Sequence, residues 1–217
     1  MKIALIGSTG FIGSAVLKEA LSRHHTVTAI LRHPDKLKVQ DKHLSIVQCD
    51  IMDANKLGLL LKGQDMVISA YNSGWSNPNI YKEFLTGSRS IQDAVRQSGV
   101  KRYFVIGGAG SLFITQGEQL VDSPEFPAVF KRGATAARDY LDILKNEKDL
   151  EWTYLSPAIE MNPTLPHQRT GKYRIGGDEP VFDSNKKSTI SVEDIAVAVI
   201  DEAEHPKHVR KRFTVGY

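Results

Sequence analysis

The sequence predicts an α/β fold in which helices cover both faces of a doubly wound, mostly parallel sheet. Short apolar runs alternate with amphipathic helical patterns, as expected for strand–helix–strand units. The first run, Ile3–Ile6, leads into three glycines and then directly into a helical pattern. The alternation breaks at residues 160–187, where prolines, glycines and isolated strand-like pieces predict a small C-terminal lobe. With 217 residues, 41% hydrophobic and 24% charged, the chain has the composition of one globular domain over residues 1–217.

The stretch Lys2–Gly13 predicts how the fold begins and what its first turn does. Gly7 permits a tight turn, Gly10 lets the backbone approach a ligand, and Gly13 allows the helix to pack closely on the strand. The unpaired first amides of the helix, at the positive end of its dipole, suit a pyrophosphate. A plain glycine turn is the alternative, but the flanking strand and helix favour a Rossmann-type dinucleotide site. The solvent face of this helix is expected to carry Lys18, Glu19, Ser22 and Arg23.

Each later element follows from its own local pattern. Apolar runs predict strands at Thr26–Leu31, Leu44–Cys49, Met66–Ala70, Arg102–Ile106, Trp152–Leu155 and Arg212–Val215. Helical spacing predicts helices at Ala54–Leu61, Ile80–Ser98 and Ala128–Lys145, with a last helix starting after Ser191. Asp53 and Ser191 are the expected N-caps. We expect an irregular loop over the pocket at Leu112–Pro127, and a substrate-pocket lobe at Glu160–Lys187 whose strand-like pieces are Lys172–Ile175 and Val181–Phe182.

Residues just after the second and third strands indicate which dinucleotide is bound. Arg32 ends the second strand, 19 residues after Gly13, where an acidic residue would bind the ribose 2′-hydroxyl of NAD. An arginine there accommodates a 2′-phosphate, so Arg32, with Lys36 nearby, favours NADP(H) over NAD(H). The alternative is an exposed arginine that only ends a strand. Asp50 is placed to accept from an adenine amino group, and Ile51 to cover the ring.

Composition excludes several other classes of protein. The single cysteine, Cys49, rules out an internal disulfide and fits a reducing cytoplasm. No apolar run approaches the ~20 residues of a membrane span, and the first strand leaves no room for a cleaved signal peptide. The net charge of +3 is mild, and the basic stretch His205–Arg212 is interpreted as solvated surface. We therefore expect no nucleic-acid partner, no membrane partner and no metal site; a homodimer is left open.

Several strings in the sequence carry a resemblance to a known family. They are GSTGFIG (Gly7–Gly13), Asp50-Ile51, GGAGSL (Gly107–Leu112), WTYLSPA (Trp152–Ala158), TGKYRIGGD (Thr170–Asp178) and the C-terminal segment Ile190–Tyr217. Together they resemble the atypical short-chain dehydrogenase/reductase superfamily, within it the NmrA-like and NADH-flavin reductase group related to biliverdin reductase B. The resemblance implies cofactor binding through Gly7, Thr9, Gly10, Phe11, Ile12, Gly13, Arg32, Asp50 and Ile51. Nearer the nicotinamide it implies Ala70, Tyr71, Gly107, Gly108, Ser156, Pro157 and Ala158.

The chain departs from that superfamily in its proton-transfer residues. The usual pair is a tyrosine with a lysine four residues later on the helix after the fifth strand. None of the seven tyrosines has this lysine, since Tyr140 has Lys145, which lies one residue too far. Carbonyl reduction, epimerisation or dehydration by the usual route is therefore disfavoured.

Two functions then compete on the sequence. The first is NAD(P)H-dependent reduction of a flavin (FMN or riboflavin, as substrate) or a quinone-like acceptor, which needs mainly positioning. Candidate parts are Tyr71, Trp75 and Phe113 as stacking walls, Ser111 as a donor and Lys131 as a ligand of the cofactor. The second is a non-catalytic NADP(H)-binding redox sensor of NmrA type. A nucleotide-sugar epimerase- or dehydratase-like protein is a further alternative.

Overall fold

The computed structural model describes residues 1–217 and places ten strands and five α-helices. The strands are β1 Lys2–Ile6, β2 Thr26–Leu31, β3 Leu44–Gln48, β4 Met66–Ser69, β5 Arg102–Ile106, β6 Phe113–Thr115, β7 Glu118–Gln119, β8 Glu151–Ser156, β9 Arg174–Gly176 and β10 Lys211–Gly216. The helices are α1 Phe11–Ser22, α2 Ala54–Leu61, α3 Ile80–Ser98, α4 Ala128–Lys145 and α5 Val192–Glu204.

Eight of the strands form one sheet in the order β3-β2-β1-β4-β5-β8-β10-β9. All neighbours pair in parallel except β9, which is antiparallel to β10 at the edge. The strand order reverses between β1 and β4, the switch point at which ligands bind in open α/β sheets. The expected doubly wound, mostly parallel α/β fold is confirmed.

Two apolar layers hold the helices on the sheet. One face, with Ile3, Leu5 and Phe104, packs against α1 and α5. The other face, with Ala4, Ile6 and Tyr103, packs against α2, α3 and α4. Adjacent residues of a strand point to opposite faces, so strands buried on both sides read as continuous apolar runs. This is why the simple runs of the sequence predicted the strands well.

Local signals also fix the helix ends. The Asp53 carboxylate accepts the Lys56 amide at 3.0 Å, and the Ser191 hydroxyl accepts the Asp194 amide at 3.1 Å, so both expected N-caps are confirmed. Gly99 ends α3 in the left-handed conformation, with φ of 81°. No helix combines the length and apolar character that crossing a bilayer requires.

Three local expectations are wrong. Leu112–Pro127 contains the antiparallel hairpin β6–β7 rather than only irregular loop. Of the two predicted strand-like pieces, Val181–Phe182 forms no strand, and Lys172–Ile175 overlaps only partly with the observed strand Arg174–Gly176, which extends the main sheet. Glu19 is buried rather than turned to solvent, because Arg23 and the distant Arg169 both bind its carboxylate.

Candidate functional site

The turn after β1 is shaped by two glycines that cannot carry a side chain. Gly7 has φ of 84°, and a Cβ there would overlap the carbonyl group of Ala70, which follows β4. A Cβ on Gly13 would overlap the carbonyl group of Gly7, so α1 sits directly on the turn. Gly10 is exposed, and a Cβ there would have its nearest neighbour, Gly7 O, at 3.3 Å. The turn therefore leaves its solvent side open at Gly10.

The N-terminus of α1 offers hydrogen-bond donors to that open side. The amides of Phe11, Ile12 and Gly13 have no acceptor in the protein, and the first bonded amide is that of Ser14, on Gly10 O at 2.9 Å. The hydroxyl of Ser8, in the same turn, is buried and also lacks a partner. Free amides at the positive end of a 12-residue helix fit the phosphates of a dinucleotide.

Arg32, Asp50 and Ile51 follow β2 and β3 on the same edge of the sheet. The Arg32 side chain is exposed and has no ion-pair or hydrogen-bond partner, while its carbonyl accepts from Gln48 at 3.2 Å. One oxygen of the exposed Asp50 carboxylate accepts the Met52 amide at 3.0 Å, which leaves the other available. Ile51 is half-buried. These positions extend the edge from the glycine turn toward β3.

Tyr71 follows Ala70 at the switch point and lies against α3. Its ring stacks on Phe84 at 5.9 Å, and its hydroxyl donates to the Glu83 carbonyl at 3.2 Å. Burial raises the pKa of this phenol above its ordinary value, and nearby Glu83 adds to the rise. Tyr71 is therefore a neutral, half-buried ring beside the glycine turn, with its hydroxyl already bonded to the protein.

The Gly107–Gly108 turn follows β5 at the same edge. A Cβ on Gly107 would collide with the ring of Tyr154, whereas one on Gly108 would meet only Ala137, at 3.5 Å. The hydroxyl of Tyr154 donates to the Ala137 carbonyl at 2.9 Å. Ser156 ends the neighbouring strand β8, Pro157 and Ala158 follow it, and all three are buried.

Ser111 is only 1% exposed and belongs to a buried polar cluster. Its hydroxyl lies 3.3 Å from Gly108 O and 3.2 Å from the Ser156 hydroxyl. Arg212 donates to the Ser111 carbonyl at 3.1 Å and pairs with the Asp178 carboxylate. This placement suits a residue that holds the loop in position.

An exposed aromatic pair stands beside this edge. Trp75, in the loop after β4, is 52% exposed, and Phe130, in the first turn of α4, is 45% exposed. Their rings meet edge to face at 5.3 Å, and the Trp75 ring lies where a Cβ of Gly133 would be. Lys131 is exposed without an ion-pair partner, and Phe113 is half-buried on the β6–β7 hairpin.

Tyr140, the tyrosine nearest in sequence to the usual tyrosine–lysine spacing, lies inside the protein. It is fully buried, and its hydroxyl contacts Ser88 O at 3.1 Å and the Tyr103 hydroxyl at 3.2 Å. Burial raises its pKa well above the ordinary value. Tyr140 is therefore a core residue and has no access to a ligand.

Sequence reasoning missed a buried carboxylate, Asp194, that binds Thr170 and Gly171. Asp194 accepts the amides of Thr170 and Gly171 at 2.9 and 2.8 Å, the Thr170 hydroxyl at 2.5 Å and the Tyr217 hydroxyl at 2.6 Å. The Asp194 carboxylate therefore holds the first two residues of the string TGKYRIGGD, Thr170 and Gly171. In the sequence, Asp194 is recognisable only as an acidic residue in the first turn of the last helix, because its partners lie 23 and 24 residues away in the chain.

Comparison with known proteins agrees with this geometry. Residues 7–206 match the family model described as NAD(P)H-binding, and the chain belongs to that family. The protein YwnB of Bacillus subtilis (strain 168), itself uncharacterized, is 36% identical over 99% of this chain and 98% of its own. A nicotinamide cofactor is therefore the ligand that the fold is built to bind.

Two solved structures are similar over the whole chain. A candidate epimerase from Bacteroides thetaiotaomicron is 46% identical with a TM-score of 0.91, covering 100% of this chain and 96% of that one. A candidate NADH-flavin reductase from Streptococcus pneumoniae is 34% identical with a TM-score of 0.84, covering 100% and 99%. The resemblance to the atypical short-chain dehydrogenase/reductase superfamily is confirmed.

Proposed function

We propose that the protein is an NADPH-dependent reductase whose acceptor is a flavin or a quinone-like compound. The observation that carries the proposal is the set of free donors at the α1 N-terminus, located where the turns after β1 and β4 meet. When bound, NADPH supplies a hydride, so that NADPH, a proton and oxidised flavin become NADP⁺ and reduced flavin. A flavin takes its proton from solvent, so the chain needs no acid of its own.

Each part of the edge then has a binding task. The amides of Phe11, Ile12 and Gly13 hold the phosphates, and the unpaired guanidinium of Arg32 holds the 2′-phosphate that distinguishes NADPH from NADH. Asp50 and Ile51 bind the adenine. Ala70, Tyr71, Gly107 and Gly108 support the nicotinamide end by backbone contacts, and the turn Ser156–Ala158 closes its far side.

The side that we assign to the acceptor carries aromatic rings. Trp75 and Phe130 form an exposed ring pair, and Phe113 lies on the nearby hairpin. Flat rings favour stacking of a flat acceptor, and holding two rings at hydride-transfer distance is catalysis by positioning. Lys131 is a second candidate ligand for a cofactor ribose or phosphate.

The test is oxidation of NADPH by FMN or riboflavin, followed at 340 nm with purified protein. We expect turnover well above the uncatalysed rate and its loss in Gly10→Trp, which fills the open side of the turn without the overlap that Gly13 substitutions would cause. Lys18→Trp, exposed two turns further along α1, is the matched control and should keep activity. No acceptor-dependent oxidation in the wild type would contradict the proposal.

A redox sensor that binds NADPH without chemistry is the second candidate. The observation that favours it is the burial of Tyr140 and the missing lysine at the usual spacing. Tight NADPH binding by calorimetry, together with no oxidation by any flavin or quinone, would select this candidate. The same side chains disfavour an epimerase-like or dehydratase-like reaction, because both reactions use the tyrosine and lysine for proton transfer.

A further inference from the structure

Arg212, in β10, bonds two other segments of the chain, the turn after β5 at Ser111 and the segment at Asp178. Its guanidinium donates to the Ser111 carbonyl at 3.1 Å, to the Asp178 carbonyl at 3.3 Å and, through Nε, to the Asp178 carboxylate at 2.7 Å. Its side chain is 5% exposed. The Asp178 side chain is 71% exposed, so the pair lies at the surface, and the bonds from three guanidinium nitrogens favour one orientation of Arg212.

The same two carbonyl groups are shared with the hairpin. The Phe113 amide donates to the Asp178 carbonyl at 2.9 Å, and the Gln119 side chain donates to the Ser111 carbonyl at 3.0 Å. The turn after β5, the β6–β7 hairpin and the segment at Asp178 are therefore connected through one arginine. None of these contacts involves α1 or the β2–β3 end of the sheet.

We propose that Arg212 is a positioning residue that sets where the acceptor stands relative to the nicotinamide. It fixes Phe113 on one side and the Gly107–Ser111 turn on the other, through Asp178 and Ser111 respectively. Its planar guanidinium matters because it donates from three separate nitrogens, Nε, Nη1 and Nη2, in a fixed fork, whereas the donors of a lysine all lie on one nitrogen. The proposal rests on the proposed reductase function, and it predicts an effect on the acceptor that is separate from the effect on NADPH binding.

A second buried arginine provides a matched control. Arg102, on β5, donates to the buried Glu202 carboxylate at 3.2 Å and has a side chain 10% exposed. It lies at the amino end of its strand and donates to Thr153 at 2.7 Å, far from the turns that follow the strands. Arg102→Gln should therefore lower stability as Arg212→Gln does, but without changing the kinetics of the folded protein.

The experiment compares Arg212→Gln, Arg212→Lys, Asp178→Asn and Arg102→Gln with the wild type. The readouts are kcat and KM for FMN, the NADPH dissociation constant by calorimetry, and the Tm. We expect kcat/KM for FMN to fall about 10-fold or more in Arg212→Gln and less in Asp178→Asn and Arg212→Lys, with NADPH affinity within about twofold. Asp178→Asn removes charge from the same ion pair, so it tests the proposal if Arg212→Gln does not fold.

Two results would overturn the inference while the reductase function stands. One is an active wild type whose Arg212 and Asp178 variants lose Tm as Arg102→Gln does but keep their FMN kinetics. The other is an equal loss of NADPH and FMN affinity in those variants. A wild type that binds NADPH but reduces neither FMN nor riboflavin would overturn the function itself and this role with it.

Discussion

The two consecutive glycines after β5, Gly107 and Gly108, differ in how much space the structure leaves for a side chain. A Cβ on Gly107 would collide with the buried Tyr154 ring, and a Cβ on Gly108 would be in ordinary contact with Ala137 at 3.5 Å. We expect Gly107→Ala to lower the free energy of unfolding by about 1–3 kcal/mol through overpacking, and Gly108→Ala by much less. Urea unfolding of both variants measures the difference, and equal losses would contradict this account.

The proposed preference for NADPH likewise depends on a single residue. Arg32 is exposed with no partner, so replacing it removes nothing from the folded protein except its charge. Arg32→Asp should weaken NADPH binding about 10- to 100-fold, the effect of losing a charge-assisted contact, and change NADH binding little. Calorimetry with both nucleotides tests this, with exposed Arg89→Asp on α3 as control. An equal loss for NADPH and NADH would show that Arg32 does not contact the 2′-phosphate.

At the scale of elements, α5 is anchored by its buried first turn. Asp194 bonds the backbone of Thr170 and Gly171 and the Tyr217 hydroxyl, so one carboxylate holds two distant parts of the chain on α5. Asp194→Asn should cost about 2 kcal/mol or more, because a carboxamide cannot accept all these bonds. Glu193→Gln, at the adjacent position, should cost less. Chemical unfolding, with proteolysis of residues 160–187, measures both, and equal losses would contradict the anchor.

The elements predictable from sequence are those whose signals are local. Asp53 and Ser191 cap the helices that follow them, and the apolar runs form strands because both faces of the sheet are covered. The rest depends on distant partners. Glu19 looked solvent-facing because Arg169 lies 150 residues away, and the local pattern at Lys172–Ile175 did not show that β9 would pair with β10 in the main sheet. In the site, the glycine turn followed from its motif, whereas Arg212 did not, because its acceptors at Asp178 and Ser111 are 34 and 101 residues away.

At the scale of the whole molecule, two buried carboxylates bond segments that are distant in sequence. Glu19 joins α1 to the segment at Arg169 through an ion pair at 2.7 Å, and this bond lowers the pKa of Glu19. Glu147, just after α4, binds Gln92 and Arg96 of α3, both at 2.7 Å. Burial of Glu147 opposes ionisation, but the bonds from Arg96 and Gln92 outweigh it and lower its pKa to about 2. Both carboxylates must stay charged for these links to persist.

Acid should therefore weaken the fold over a defined range of pH. A carboxyl group whose pKa is lower in the folded than in the unfolded chain stabilises the protein above its unfolded value, and that stability is lost as the pH falls toward the folded value. For Glu147 the range runs from the ordinary value of 4.5 down to about 2.

We expect Glu147→Gln to lower the free energy of unfolding by about 1–2 kcal/mol at pH 7, allowing for solvent screening, and the difference from wild type to shrink to near zero by about pH 2. Asp142→Asn, which removes an exposed pair with Lys145, should change little at any pH. Urea titrations at several pH values measure the effect, and a Glu147→Gln deficit that stays constant down to about pH 2 would mean that its cost comes from packing and not from charge.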